Sequence, residues 1–551
     1  MKARNETPTQ LAGPIELGVG LAATLAAMWL HFIFLRHAGA LWRDEAGGVQ
    51  LANLPSIGGM WQMLPHGGFP AFFPIAVRAW TALGLGDDAG LRLFGFLIGL
   101  SVLAALWINA RIMGYRVPML SLAWLGANIT LVRAGDSLRA YGCGSLFAVL
   151  CLGLTWRLMR SPDWKRFLLA SLAGILSVQC LYQNAFLLLA VCASAAWACL
   201  PRRQWRTALV VLAAGLPAML SLLPYLEPVR HSQDWWIISK TGFNFTLVWR
   251  NLSFALAGPQ AWPKWVWIGI FLLIVVAGIA ALLKRNADAD TFKNDLTLFA
   301  AGAGLAGSTG FFIFIWLAQL PTQPWQYLPL ITFVTACMDA ALLPGLQRQR
   351  IPLAVFAALM ICMLLPRSAD LAKCRQTNID LIAAQLQKSA APDDFIILYP
   401  WYCGVTFGRY YQGQTPWVTL PALSDYRFHR YDLLKEKLQA TSPIAPVVAR
   451  AFATLASGHR LWIIGRLPGP QPGETSVPEL PPAPNGPYGW LDAPYTYVWG
   501  RQLAQPLSNY AGKIELVPVT SPTSVSPLED EDLPLFVLAG WRSPTPPATP
   551  H

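Results

Sequence analysis

The sequence predicts a polytopic α-helical membrane protein of about eleven transmembrane helices, followed by a C-terminal soluble α/β domain. Composition is the first of three reasons. Hydrophobic residues make up 54% of the 551 and charged residues 13%, and the mean hydropathy is +0.42, values foreign to a water-soluble enzyme. Charge placement is the second. Lys and Arg gather in short clusters between apolar runs, so the formal net charge of +12 reads as a topology signal and not as a nucleic-acid surface, which needs a basic patch on one soluble face. The third is a change of composition after residue 366, where long apolar runs give way to short alternating segments.

In order, the apolar segments are 17–35, 93–110, 117–132, 140–156, 167–182, 185–200, 207–226, 265–283, 296–320, 327–343 and 351–366, each of spanning or near-spanning length. The stretch 167–200 carries no charge, is too long for one span and short for two, and Gln183-Asn184 marks its turn. Lys2 and Arg4 before the first run, with Ala38-Gly39-Ala40 after it, have the outline of a secretory signal. The run exceeds the usual signal length and is read as an uncleaved anchor. With the N-terminus in the cytoplasm, Arg111/Arg116, Arg157/Arg160/Lys165/Arg166, Arg202/Arg203/Arg206, Lys284/Arg285/Lys293 and Arg348/Arg350 fall on one side, which is the positive-inside pattern. Loops 37–92 and 227–264, the turn 133–139 and the tail then face outward. A bacterial inner-membrane protein with a periplasmic tail is expected.

Loop 37–92 mixes Trp61, Phe69, Phe72, Phe73 and Trp80 with glycines and prolines, as short amphipathic helices lying in the interface do. Loop 227–264 holds Trp235, Trp236, Trp249 and Trp262 and suits either an interfacial lid or a plain aromatic belt. Two domains follow: 1–366 in the membrane and 367–551 soluble. In the second, helices are expected at 379–388 and near 431–455, strands at 395–399, 460–464, 514–519 and 535–538, and an extended Pro/Gly-rich loop at 467–494. Of nine cysteines, all but Cys374 and Cys403 sit in apolar runs; those two could pair in an oxidising compartment. No spacing resembles a zinc site and no cofactor is expected, with a divalent metal left open.

Two polar clusters carry the chemistry. Asp44 and Glu45, in Leu41-Trp42-Arg43-Asp44-Glu45-Ala46, follow the first apolar run directly. A charge at a helix centre in lipid costs roughly 2.5–3.5 kcal/mol, so acids close to a bilayer have a task or a partner. The plain alternative is that Arg43 neutralises Asp44 at the membrane surface. The second cluster is Arg133-Ala134-Gly135-Asp136-Ser137-Leu138-Arg139-Ala140-Tyr141, on the same side by topology. Either Asp136 caps the next span while Arg133 and Arg139 snorkel, or an acid lies beside a reacting centre with a guanidinium fork ready for phosphate.

The first span, the Trp-Arg-Asp-Glu-Ala opening, Phe69-Pro70-Ala71-Phe72-Phe73 and Leu91-Arg92-Leu93 together resemble the GT-C membrane glycosyltransferases. The nearer likeness is to the branch of protein mannosyltransferases and aminoarabinose lipid A transferases. Ser137-Leu138-Arg139-Ala140-Tyr141 resembles that branch's Arg-x-Tyr element, and Gln326-Tyr327-Leu328-Pro329-Leu330 its Arg-Tyr-Leu-x-Pro element. The likeness covers about the first 345 residues. Gln326 stands where relatives carry arginine, His66 is displaced from their His-Pro-Pro, and Ser137 stands where many have glutamate. The resemblance implies inverting transfer of a sugar from a polyprenyl-phosphate donor to a lipid, glycan or protein acceptor at the outer face. In that scheme Asp44 is the base, Glu45 and Asp136 assist it, and Arg139, Tyr141 and Tyr327 bind the donor phosphate; nucleic acid has no part. The competing classes are a transporter or flippase with a periplasmic cap, which would carry ionisable residues near the midplane on broken helices, and a non-catalytic scaffold of the same fold.

Overall fold

A computed structural model of the chain describes residues 8–240, 242–283, 291–319, 321–346, 349–469, 478–486 and 489–542. Lys2, Arg4, Lys284, Arg285, Arg348 and parts of the 467–494 loop lie outside the described residues. The chain forms two compact units: Met1–His37, Gly68–Pro228 and Gly242–Lys373 make one; Ala38–Gly67, Val229–Thr241 and Cys374–His551 make the other.

The first unit is helical. Among the described residues seven helices are long and apolar enough to cross a membrane: Gly13–His37, Asp88–Met113, Tyr141–Arg160, Trp205–Trp236, Pro263–Leu283, Phe292–Ala318 and Arg350–Ala372. They account for seven of the eleven apolar segments. The other four form shorter helices. Segments 167–182 and 185–200 become Trp164–Cys180 and Asn184–Cys199, of 17 and 16 residues, while 327–343 becomes Leu328–Leu342, of 15 residues, buried at every position but the last. A helix apolar all round and buried all round is an interior element. Segment 117–132 is broken into Met119–Leu125 and Ile129–Gly135. Asn128 causes the break: its backbone is extended and its side-chain oxygen accepts from the Thr130 amide at 2.7 Å, starting a new helix. Asp339 of Leu328–Leu342 caps the first half from outside, accepting from the Leu120 and Ser121 amides at 2.8 and 3.2 Å. The last helix continues to Ala372 through Pro366, where the sequence suggested an end.

The second unit is built on a five-stranded sheet, β1 Phe395–Leu398, β2 Trp417–Thr419, β3 Leu461–Ile464, β4 Ala511–Val517 and β5 Leu535–Trp541, in the order β2-β1-β3-β5-β4. The first three are mutually parallel where they pair, and β5 is antiparallel to both its neighbours. β1 and β3 are buried along their whole length, as unbroken apolar runs must be when helices cover both faces. On one side lies Ile379–Ser389, whose Ile379, Ile382, Ala383 and Leu386 have no exposed surface. On the other lie Tyr431–Gln439, Ala445–Ala456 and Asp492–Tyr510, supplying Leu434, Val447, Ala451, Trp499 and Leu503. The helix expected near 431–455 is thus two helices, and Asp492–Tyr510 takes the end of the expected 467–494 loop. Of that loop, Pro478 and Pro482 accept hydrogen bonds from Gln502 and Tyr495. Cys374 and Cys403 are not joined by a disulfide: Cys374 Sγ lies 3.2 Å from Ser524 Oγ and Cys403 is buried.

Candidate functional site

Asp44 and Glu45 occupy the first turn of the helix Arg43–Ala52, where the positive end of the helix dipole favours carboxylates. Trp42 precedes the helix without a side-chain cap, and the Arg43 amide is satisfied by Glu531 Oε1 at 3.0 Å. The Arg43 guanidinium lies 3.5 Å from the same oxygen, donates to the Glu529 carbonyl and stacks over the Tyr402 ring at 4.6 Å. Arg43 thus has an ion-pair partner in Glu531 as well as its sequence neighbour Asp44, which also favours its charge. Glu531 has no exposed surface, and the Thr406 hydroxyl lies 3.1 Å from each of its oxygens. Burial pushes its carboxyl up to about 7, against the opposing pull of Arg43, Thr377 and Thr406. Burial also works against the charge on Arg43, but Glu531 and Asp44 outweigh it and hold the proton more tightly than usual. Glu45 is fully buried.

Asp44 Oδ1 lies 3.8 Å from His429 Nδ1, with the two side chains 15% and 14% exposed. The helix that carries Asp44 runs against the segment that carries His429: a Cβ on Gly47 would meet the Arg427 carbonyl and Phe428 Cα at 3.8 and 3.9 Å. His429 is flanked by the rings of Trp401 and Tyr431, at 6.0 and 5.8 Å. Its segment is pinned by Asp425, which pairs with Arg427 and Arg430 at 3.0 and 2.8 Å, and by Arg430 on Asp432 at 2.6 Å. The two arginines outweigh burial and hold Asp425 down to about 2.

A second imidazole adjoins the first. His66 is stacked between Trp235 (5.0 Å, 16°) and Phe428 (6.4 Å, 9°) and hydrogen-bonds to the His429 backbone. Burial lowers its pKa below the ordinary histidine value, Asp432 at 4.0 Å notwithstanding. His66 is thus a neutral spacer under the His429 loop.

In the helical unit the 133–141 turn splits its work. Asp136 ends the helix Ile129–Gly135, and the N-cap of the next span is Ala140; Asp136 Oδ1 lies 2.7 Å from His31 Nδ1, both buried. Gly95 and Gly99 make the room, since a Cβ at either would stand 1.9 Å from the Asp136 carbonyl or 1.8 Å from its Oδ1. Arg139 is half-buried, its guanidinium 4.5 Å over the Phe69 ring, which meets Tyr141 edge-on at 5.4 Å. Phe69 is held from below: the Ala71 amide donates to Tyr225 Oη at 3.1 Å, and Tyr225 donates to Gln179 at 2.7 Å. Tyr327 is fully buried, with its hydroxyl 3.0 Å from Thr322 Oγ1. Gln326 caps its own short turn through Gln323. Among the described residues no group of His, Cys, Asp and Glu is arranged to hold a metal ion.

Sequence reasoning passed over His429 and Glu531. The run Asp425-Tyr426-Arg427-Phe428-His429-Arg430-Tyr431-Asp432 is dense in charges and rings, which was the available signal. Glu531 had none, lying in four consecutive acids that read as a solvated stretch.

Fold and side chains together define an integral membrane protein, mostly helical, with a small mixed sheet in a separate unit. No family model matches the chain, and no relative was found among curated proteins. Solved structures that match include ArnT from Cupriavidus metallidurans bound to undecaprenyl phosphate, with 14% identity over 81% of this chain and 92% of that one and a TM-score of 0.47.

Proposed function

We propose that the chain is a membrane glycosyltransferase that moves a sugar from a polyprenyl-phosphate donor to an acceptor hydroxyl or amide at the periplasmic face, with inversion. Asp44 takes the acceptor proton while the acceptor atom bonds to the anomeric carbon and the bond to phosphate breaks, its electron pair leaving on the phosphate. That leaving group needs no general acid, so the demands are one base and cationic donors for growing phosphate charge. Arg139 and Tyr141 supply the donors, with Asp136 and Glu45 in supporting places; Tyr327, sealed on Thr322, is a wall rather than a ligand. What supports the reading is the place of Asp44 in the first turn of its helix, partly exposed and with Oδ1 3.8 Å from His429 Nδ1, while Arg43 has a further partner in Glu531.

The test is transfer from labelled polyprenyl-phosphate sugars by the purified protein. Asp44→Asn keeps the size and most hydrogen bonding, and turnover is expected to fall about 10²-fold or more with donor binding retained; near-normal turnover would sink the assignment. A transporter remains the second reading, because the 117–132 segment is a broken helix, a feature such proteins use. Translocation of the lipid-linked sugar without transfer would decide for it.

A further inference from the structure

Asp44 as base leaves a question of chemistry: once it holds the acceptor's proton, it must lose that proton before the next turnover. The groups around it narrow the answer. Arg43 is fixed on Glu531 and is no proton acceptor. The imidazole of His429 is at ion-pair distance, Nδ1 toward Asp44 Oδ1 at 3.8 Å. Its placement is built: Trp401 and Tyr431 flank the ring, the His66 bond holds its backbone, and Asp425 ties down its segment through Arg427 and Arg430. The side chain keeps some exposed surface, with its Nε2 buried.

We infer that His429 is the proton acceptor behind Asp44, forming with it a carboxylate–imidazole relay. The proposal rests on the reading of Asp44 as base. In the Nε2–H tautomer the Nδ1 lone pair faces Asp44. The acceptor O–H or N–H bond breaks toward Asp44, the new bond to the anomeric carbon forms, and the phosphate leaves with its electron pair. The O–H bond formed on Asp44 then breaks toward Nδ1, giving imidazolium beside restored carboxylate, and the proton passes to water. The separation is longer than a hydrogen bond, as such contacts commonly are before substrate closes them.

The test uses the full chain in detergent with a panel of radiolabelled polyprenyl-phosphate hexoses and pentoses, taking whichever the parent transfers. His429→Ala is expected to lower kcat on the order of a hundredfold with KM for the donor unchanged, and free imidazole is expected to restore part of the loss. Should His429→Ala melt early, His429→Asn, which fills the space without a proton-accepting nitrogen, carries the same expectation. An unchanged kcat overturns the relay, as does a loss in a folded variant that imidazole does not restore, since a packing or counter-ion role would not respond to it. If Asp44→Asn abolishes transfer while His429→Ala does not slow it, only the relay fails; if the parent transfers none of the panel, or Asp44→Asn retains turnover, the assignment of Asp44 fails first.

Discussion

Glu531 and Arg43 show how far burial can change what a charge does. A carboxyl pushed up to about 7 by burial binds its proton more tightly folded than unfolded. Its contribution to stability is therefore complete below about 4.5 and is lost as pH rises through about 7. Arg43→Met removes the guanidinium that draws this pKa down, so the variant goes on losing stability above pH 7. Breaking such a pair costs about 3–5 kcal/mol where the remaining charge must exist. Melting in detergent should show a small deficit at about pH 5 and a large one at about pH 9; an equal deficit at both would mean that Glu531 is not the group responsible. Arg139 makes a different case, because a planar ion over the Phe69 ring is not replaced by a point charge. Arg139→Lys should weaken binding of polyprenyl phosphate and Arg139→Ala should weaken it further. Equal binding by both variants and the parent would move the phosphate elsewhere.

At the scale of elements, the decisive contacts are those that let helices approach. Gly95 and Gly99 of the helix Asp88–Met113 leave the space that the His31–Asp136 pair fills, and close approach through small residues is how helices associate without a hydrophobic drive. Gly99→Ala puts a Cβ 1.8 Å from Asp136 Oδ1 and 2.8 Å from the His31 ring, so the pair must shift. Overpacking of this kind costs about 1–3 kcal/mol. Gly18→Ala, with nothing within 4 Å, is the control, and its better helix propensity should leave the melting temperature unchanged or raised. If both variants melt like the parent, the close approach at Gly99 is relaxed in solution.

For the whole molecule the open quantity is orientation. The eleven apolar segments of the sequence are odd in number, so with the basic loops and the N-terminus inside the tail is expected outside. Alkaline phosphatase fused after Arg542 in a bacterial host should be active; a fluorescent protein that lights up there, with the phosphatase silent, would reverse the topology and remove the tail from any periplasmic chemistry.

What the sequence by itself determined is whatever a local pattern can encode: apolar runs long enough for lipid, basic clusters between them, and the buried strands Phe395–Leu398 and Leu461–Ile464, whose unbroken apolar residues have one environment open to them. It also picked out Asp44 and Arg139 by residue type and position. Partnership was decided only in three dimensions. Arg43 adjoins Asp44 in the chain yet pairs with Glu531, 488 residues away, and Asp136, which the sequence offered either as a cap or beside a reacting centre, pairs with His31, 105 residues away. The same holds for the break at Asn128, since a lone asparagine in an apolar run ends a helix only where the freed backbone is satisfied, as it is by the Asn128 side chain for the Thr130 amide and by Ser368 for the Ala127 carbonyl. Burial and distance set the strength of an electrostatic contact, and neither is a function of sequence separation.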